Sequence, residues 1–181
     1  MAEDQATVGH EALGSANQER AQQVLLHIGS EDLFDLVAED VVVEFPYGPS
    51  VGMPERFVNK SAFRAYCHEL FRALPGVTTR DMTSYSVDGD PNTVFVEYEV
   101  DLSAPVGEAY VQPHVVKMEF RDGLLVHMKE FWDPERMLGA RSGAFGLDPP
   151  RGTTPMADVV VSDLEKLRGA TGSATRRAEG A

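Results

Sequence analysis

The sequence predicts an α+β fold built on a long antiparallel meander, and three observations carry that prediction. The order of elements comes first: helix, helix, strand and helix, and then a run of four long strands. Next, Val94, Val96, Tyr98, Val100 and Leu102 alternate with Phe95, Glu97, Glu99 and Asp101, the period of a sheet with one buried face. Finally, no glycine-rich strand-to-helix turn is present, which agrees with an antiparallel arrangement rather than a parallel, doubly wound one.

Taken in order, residues 1–14 read as a disordered lead-in, and Ser15 with Gln18 offers a capping box for a helix that closes at Gly29. A second short helix is expected from Ser30, with Glu31 and Asp32 at its positive end and Leu33, Phe34, Leu36 and Val37 as its buried face. Val41–Phe45 is β-branched and reads as a strand ended by Pro46-Tyr47-Gly48-Pro49; Ser50–Val58 reads as loop. Lys60–Leu74 carries Phe63, Tyr66, Cys67, Leu70, Phe71 and Leu74 on one helical stripe, and Pro75-Gly76 stops it. Strands are then expected at Val77–Val87, Thr93–Leu102, Ala109–Phe120 and Leu124–Trp132, with Pro113 marking an edge or a bulge. Met156–Leu167 reads as one more short helix. The domain proper is expected over residues 15–138, with 139–181 a partly disordered extension.

The composition narrows the class of protein. The 181 residues carry 29 acidic against 16 basic side chains, a net charge of −13. Nucleic acid and anionic membranes both call for a cationic footprint, so neither is an expected partner. Cys67 is the one cysteine, which rules out an internal disulfide, and its apolar helix setting suits a core residue better than a reactive thiol. No His/Cys/Asp/Glu grouping has metal-ligand spacing, and no metal or cofactor is expected. The acidic start lacks a basic and an apolar region of the secretory kind, and no run approaches the roughly 18 apolar residues of a membrane span. A cytoplasmic protein is the expectation.

The final hairpin decides which face is inside. With Asp122-Gly123 as a two-residue turn, Arg121 opposes Leu124 and both faces mix apolar with charged residues. With Arg121-Asp122-Gly123 as a three-residue loop, Phe120 opposes Leu124 and the faces sort. Tyr110, Gln112, His114, Val116, Met118 and Phe120 then gather with Leu124, Val126, Met128, Glu130 and Trp132. Lys117, Glu119, His127 and Lys129 fall opposite. This second register is the expected one, and it sets Glu130 directly across from His114. A carboxylate on an apolar face is costly unless paired or protonated, the setting in which enzymes tune carboxylic acids for proton transfer. A structural Glu–His bond filling a polar gap is the other reading that spacing leaves open. His68 and His127 have weaker claims, and His10 lies in the lead-in.

Three stretches together carry a family resemblance: Val-Glu-Phe-Pro-Tyr (43–47), Asn-Lys-Ser-Ala-Phe opening a helix (59–63), and Arg-Asp-Gly-Leu-Leu-Val-His-Met-Lys-Glu-Phe-Trp-Asp-Pro (121–134). Over residues 18–138 the chain resembles the nuclear transport factor two-like superfamily, and within it the SnoaL-like polyketide cyclases and the phenazine-biosynthesis A/B proteins. The resemblance implies a cone-shaped α+β barrel: a curved, mostly antiparallel sheet wrapped by three helices around an apolar cavity. It also implies a homodimer and a hydrophobic small-molecule substrate. Glu130 matches a last-strand carboxylate that acts as acid or base in these proteins, His114 a histidine of the preceding strand, and Tyr66 stands where the phenazine proteins have a helix histidine. Phe45 and Val116 occupy the positions of the two acids of ketosteroid isomerases, so that activity is not expected. Tyr98, Val100, Met128 and Trp132 fall among the family's pocket walls. Phe45, Phe63 and Val116 complete the expected lining, with Tyr47, Tyr66, Tyr110 and Gln112 as candidate donors to a substrate carbonyl. Three functions are consistent with this: a cofactor-independent cyclase or isomerase of secondary metabolism, a non-catalytic small-molecule binder, or a dimerisation scaffold.

Overall fold

A computed structural model of the chain describes residues 2–73, 76–102 and 110–136. The elements run α1 (Ala2–Leu26), a 3-10 segment (Glu31–Leu36), β1 (Val37–Glu44), a 3-10 segment (Gly48–Val51), β2 (Arg56–Val58), α2 (Lys60–Ala73), β3 (Val77–Val87), β4 (Asp90–Leu102), β5 (Tyr110–Arg121) and β6 (Leu124–Phe131). The six strands form one curved sheet in the order β2-β1-β6-β5-β4-β3, antiparallel throughout except where β1 meets β6 in parallel. Among the described residues the sheet does not close into a full barrel.

The alternation in β4 does what it predicts. Val94, Val96 and Tyr98 are buried, as are Val116, Met118 and Phe120 of β5, Leu125 and Met128 of β6, and Val41 and Val43 of β1. The helices cover this inner face, α1 against β3 and β4, α2 against β1 and β2. Local breaks in register bend the strands: Asp81, at φ 52°, sits in a break between Arg80 and Thr83, and another lies between Val37 and Val42 of β1.

Several expectations are corrected. The first helix begins at Ala2, so Ser15 lies inside it and residues 2–14 are not a disordered lead. Alanine, glutamate, glutamine and leucine favour helix there, and Glu3 and Asp4 sit at its positive end. The middle one of the three expected helices is a single 3-10 segment, because β1 claims the chain from Val37 rather than Val41. Arg56–Val58, read as loop, is a short strand paired with Val42–Glu44. Pro113 lies where β5 is locally an edge, since pairing with β6 begins only at Val115. The helix expected at 156–167 and the extension from 139 lie outside the described residues.

The hairpin register is also corrected. Asp122 and Gly123, at φ 52° and 79°, form a two-residue turn with Arg121 opposite Leu124. A bulge then follows: Phe120 pairs with Leu125 but Glu119 pairs with His127, leaving Val126 as the extra residue. Leu125 is therefore fully buried and Leu124 exposed. Beyond the bulge Glu130 stands opposite Val116, two residues from the expected partner. The two-residue shift preserves the face of every side chain past the bulge, so Met128 and Glu130 point inward as expected.

Candidate active site on the inner face of the sheet

Three adjacent strands deliver Tyr98, His114 and Glu130 to one place. Tyr98 of β4 pairs directly with His114 of β5, their rings 5.2 Å apart between centroids. Glu130 of β6, opposite Val116, is the diagonal neighbour of His114, within reach of a long side chain. His114 Nδ1 lies 2.6 Å from Glu130 Oε1, and the Tyr98 hydroxyl donates to the same oxygen. Tyr98 is 2% exposed and Glu130 9%. Burial pushes the Tyr98 phenol well above its ordinary value, and the Glu130 charge and hydrogen bond add to this. Tyr98 thus stays protonated and donates.

The surroundings are aromatic and apolar. Phe45, which follows Glu44 in the parallel register with Lys129, comes in beside Glu130 and meets Tyr66 at 5.4 Å and Phe57 at 6.0 Å. Tyr66 of α2 stacks on Phe57 at 4.5 Å and bridges the main core to a second cluster of Val51, Met53 and Trp132. Burial first, then Cys67 and Glu130, raises the Tyr66 phenol well above its ordinary value. Burial, with Glu130 and Glu31, likewise raises the Cys67 thiol, so Cys67 is a core residue and not a nucleophile.

Most of the predicted residues converge. Phe45, Phe63, Val116 and Met128 are buried in the same core as Tyr98, with Tyr66 and Val100 partly buried against it. Gln112 is buried, but its Nε2 donates to the Asp133 carbonyl at 2.7 Å, tying β5 to the segment that carries Trp132. Tyr47 is not brought to the site: it is 47% exposed and packs on Phe131, whose side chain leaves β6 on the side opposite Glu130. Tyr110 enters β5 opposite Leu102, and its side chain lies outside the described residues. Sequence reasoning missed Phe57, Val51 and Met53, which lie in the segment read as loop, where three strand residues are too few to show a period. Among the described residues no group of three or more His, Cys, Asp and Glu side chains could hold a metal, and no helix is long and apolar enough to cross a membrane.

A half-covered, curved α+β sheet with an acid–imidazole–phenol cluster on its largely apolar inner face is the class of domain that these elements define. The SnoaL-like domain family model matches residues 29–128. The chain therefore belongs to the SnoaL-like family of the nuclear transport factor two-like superfamily. It is 31% identical over 112 residues to the uncharacterized protein YesE of Bacillus subtilis, covering 61% of this chain and 75% of that one. It is 32% identical over 110 residues to an uncharacterized PhzA/B-like protein of Pseudomonas aeruginosa, covering 60% and 76%. Among solved structures, a candidate isomerase from Bacillus subtilis superposes with a TM-score of 0.63 at 25% identity, over 72% of this chain and 96% of that one. A phenazine biosynthesis-related protein of Pseudomonas aeruginosa gives 0.62 at 17% identity, over 80% and 94%; at that identity the likeness concerns the fold alone.

Proposed function

We propose that this protein is a cofactor-independent acid/base enzyme of secondary metabolism that cyclises or isomerises a hydrophobic small molecule. The observation that carries the reading is the Glu130–His114 pair at 2.6 Å, each side chain about nine-tenths buried, on a largely apolar face. Glu130 supplies the charge and His114 its proton partner, while Phe45, Tyr66, Met128 and Trp132 orient and desolvate the ligand. In this reading the Tyr66 phenol, held protonated by its burial, donates to a substrate carbonyl.

The test is carbon-acid exchange. Neutral aromatic β-ketoesters and cyclic enones are incubated with the protein in D2O, and loss of the α-proton signal is followed by NMR. The wild type is expected to accelerate exchange, and Glu130→Gln to lower the rate by about 10²–10⁴-fold. Equal rates for the two proteins exclude the role. A second reading, a non-catalytic binder, draws on the fact that Glu130 Oε1 already has two partners. Tight binding of the same probes without any exchange is its signature.

A further inference from the structure

We propose that the atom of this site that takes up the proton is His114 Nε2, with Glu130 and Tyr98 as positioning residues that hold the imidazole in the required tautomer. The proposal rests on the acid/base reading above and assigns the roles within it.

The protons available to the cluster set its bonding pattern. A phenol has one, and Tyr98 donates its proton to Glu130 Oε1. The same oxygen lies 2.6 Å from His114 Nδ1, so it receives a second hydrogen bond if Nδ1 carries a proton. An oxygen accepting two hydrogen bonds is the pattern of an ionised carboxylate, whose bonds to donors are short and strong. With Glu130 ionised, Nδ1 is the N–H that meets this oxygen, and a neutral imidazole then has its remaining lone pair on Nε2.

Nε2 is also free to act. The one buried side-chain polar atom without a hydrogen-bond partner among the described residues is Arg64 Nε. His114 Nε2 likewise has no hydrogen-bond partner among the described residues, and unlike Arg64 Nε it is not fully buried, so it faces accessible space. Glu130 Oε2 also has no hydrogen-bond partner among the described residues, but Oε1 already meets both the Tyr98 hydroxyl and His114 Nδ1. In the step itself a substrate C–H or O–H bond breaks and its electron pair stays on the substrate as an enolate or alkoxide. A new N–H bond forms at Nε2, and the imidazolium so made is balanced by the Glu130 charge beside Nδ1. Returning that proton to another atom of the same molecule completes an isomerisation with no other reactant. Orientation of an imidazole by a carboxylate on its far nitrogen is the arrangement of catalytic triads.

The experiment needs no substrate. The full-length chain is labelled with ¹⁵N-histidine, and long-range ¹H–¹⁵N spectra at neutral pH report which ring nitrogen is protonated, with His114→Gln used to assign the signal. The expected result is a protonated Nδ1 and a bare Nε2 at His114, and loss of that preference in Glu130→Leu. A bare Nδ1 with protonated Nε2 in the wild type overturns the proposal, because Glu130 then holds the proton; an imidazolium with both nitrogens protonated overturns it as well. Either result leaves the exchange test of the preceding section standing. Absence of exchange with the Nδ1–H tautomer intact rejects the enzymatic reading instead.

Discussion

His114 of β5 and His127 of β6 both sit against glutamates, yet they belong to opposite faces of one hairpin. His127 lies 3.2 Å from Glu44 and 3.3 Å from Glu119, and about a quarter of its side chain is exposed. Around it the charges alternate: Lys117 bonds Glu119 at 2.6 Å, and Lys129 and Arg56 each lie 3.7 Å from Glu44. His114 meets one carboxylate and one phenol in a nearly dry setting, with only about a tenth of its side chain exposed. Residue types are shared; the dielectric is not. Exposed pairs are worth roughly 0–1 kcal/mol because water screens and replaces them. Buried groups that lose a partner cost several times that.

The comparison breaks most visibly when Glu130 is removed. Glu130→Leu removes the acceptor of the Tyr98 hydroxyl and the short contact of His114 Nδ1, leaving those two groups only each other at 3.5 Å, and unfolding in urea is expected to show a loss of about 3 kcal/mol. Replacing the whole cluster (Glu130→Leu, His114→Leu, Tyr98→Phe) is expected to restore most of that. If it does, the polar cluster is kept for chemistry and not for stability. Next in size is Gln112→Ala, which removes the bond to the Asp133 carbonyl and is expected to cost about 1–2 kcal/mol. Trp132 is the only tryptophan, so its emission should move to longer wavelength as its segment loosens.

The smallest effect belongs to the outer face. Lys117 first, with help from His127, holds the Glu119 carboxyl below its ordinary value of 4.5. A lowered folded-state value means stability present above the ordinary value and lost as pH falls through the lowered one. Glu119→Gln should therefore cost under about 1 kcal/mol at neutral pH, shrink in high salt, and vanish once the carboxyl is protonated. A larger, salt-insensitive cost would mean that the outer network is as dry as the inner one.

How much of this was legible follows from the same residues. The inward direction of Glu130 was readable because Lys117, Glu119, His127 and Lys129 must share a solvent face, and that sorting survives a shift of two residues. The bulge was not readable: Leu124, Leu125 and Val126 are all apolar, so no polar residue marks which of them turns outward. Tyr98 was legible as a wall but not as the third member of the cluster. Its place opposite His114 depends on the β4–β5 register, which no charge pattern sets. β2 escaped because three residues are too few to show a period, and the early start of α1 because a good capping sequence can also lie inside a helix.

The kink at Asp81 has a consequence for behaviour in solution. β3 is eleven residues long and forms an outer margin of the sheet, where unpaired N–H and C=O groups invite a strand from another molecule. The register break between Arg80 and Thr83 divides that margin into two short runs, with the charged Arg80 and Asp81 at the joint. A visiting strand finds no long straight template, so the bend that shapes the inner face also discourages edge-to-edge aggregation.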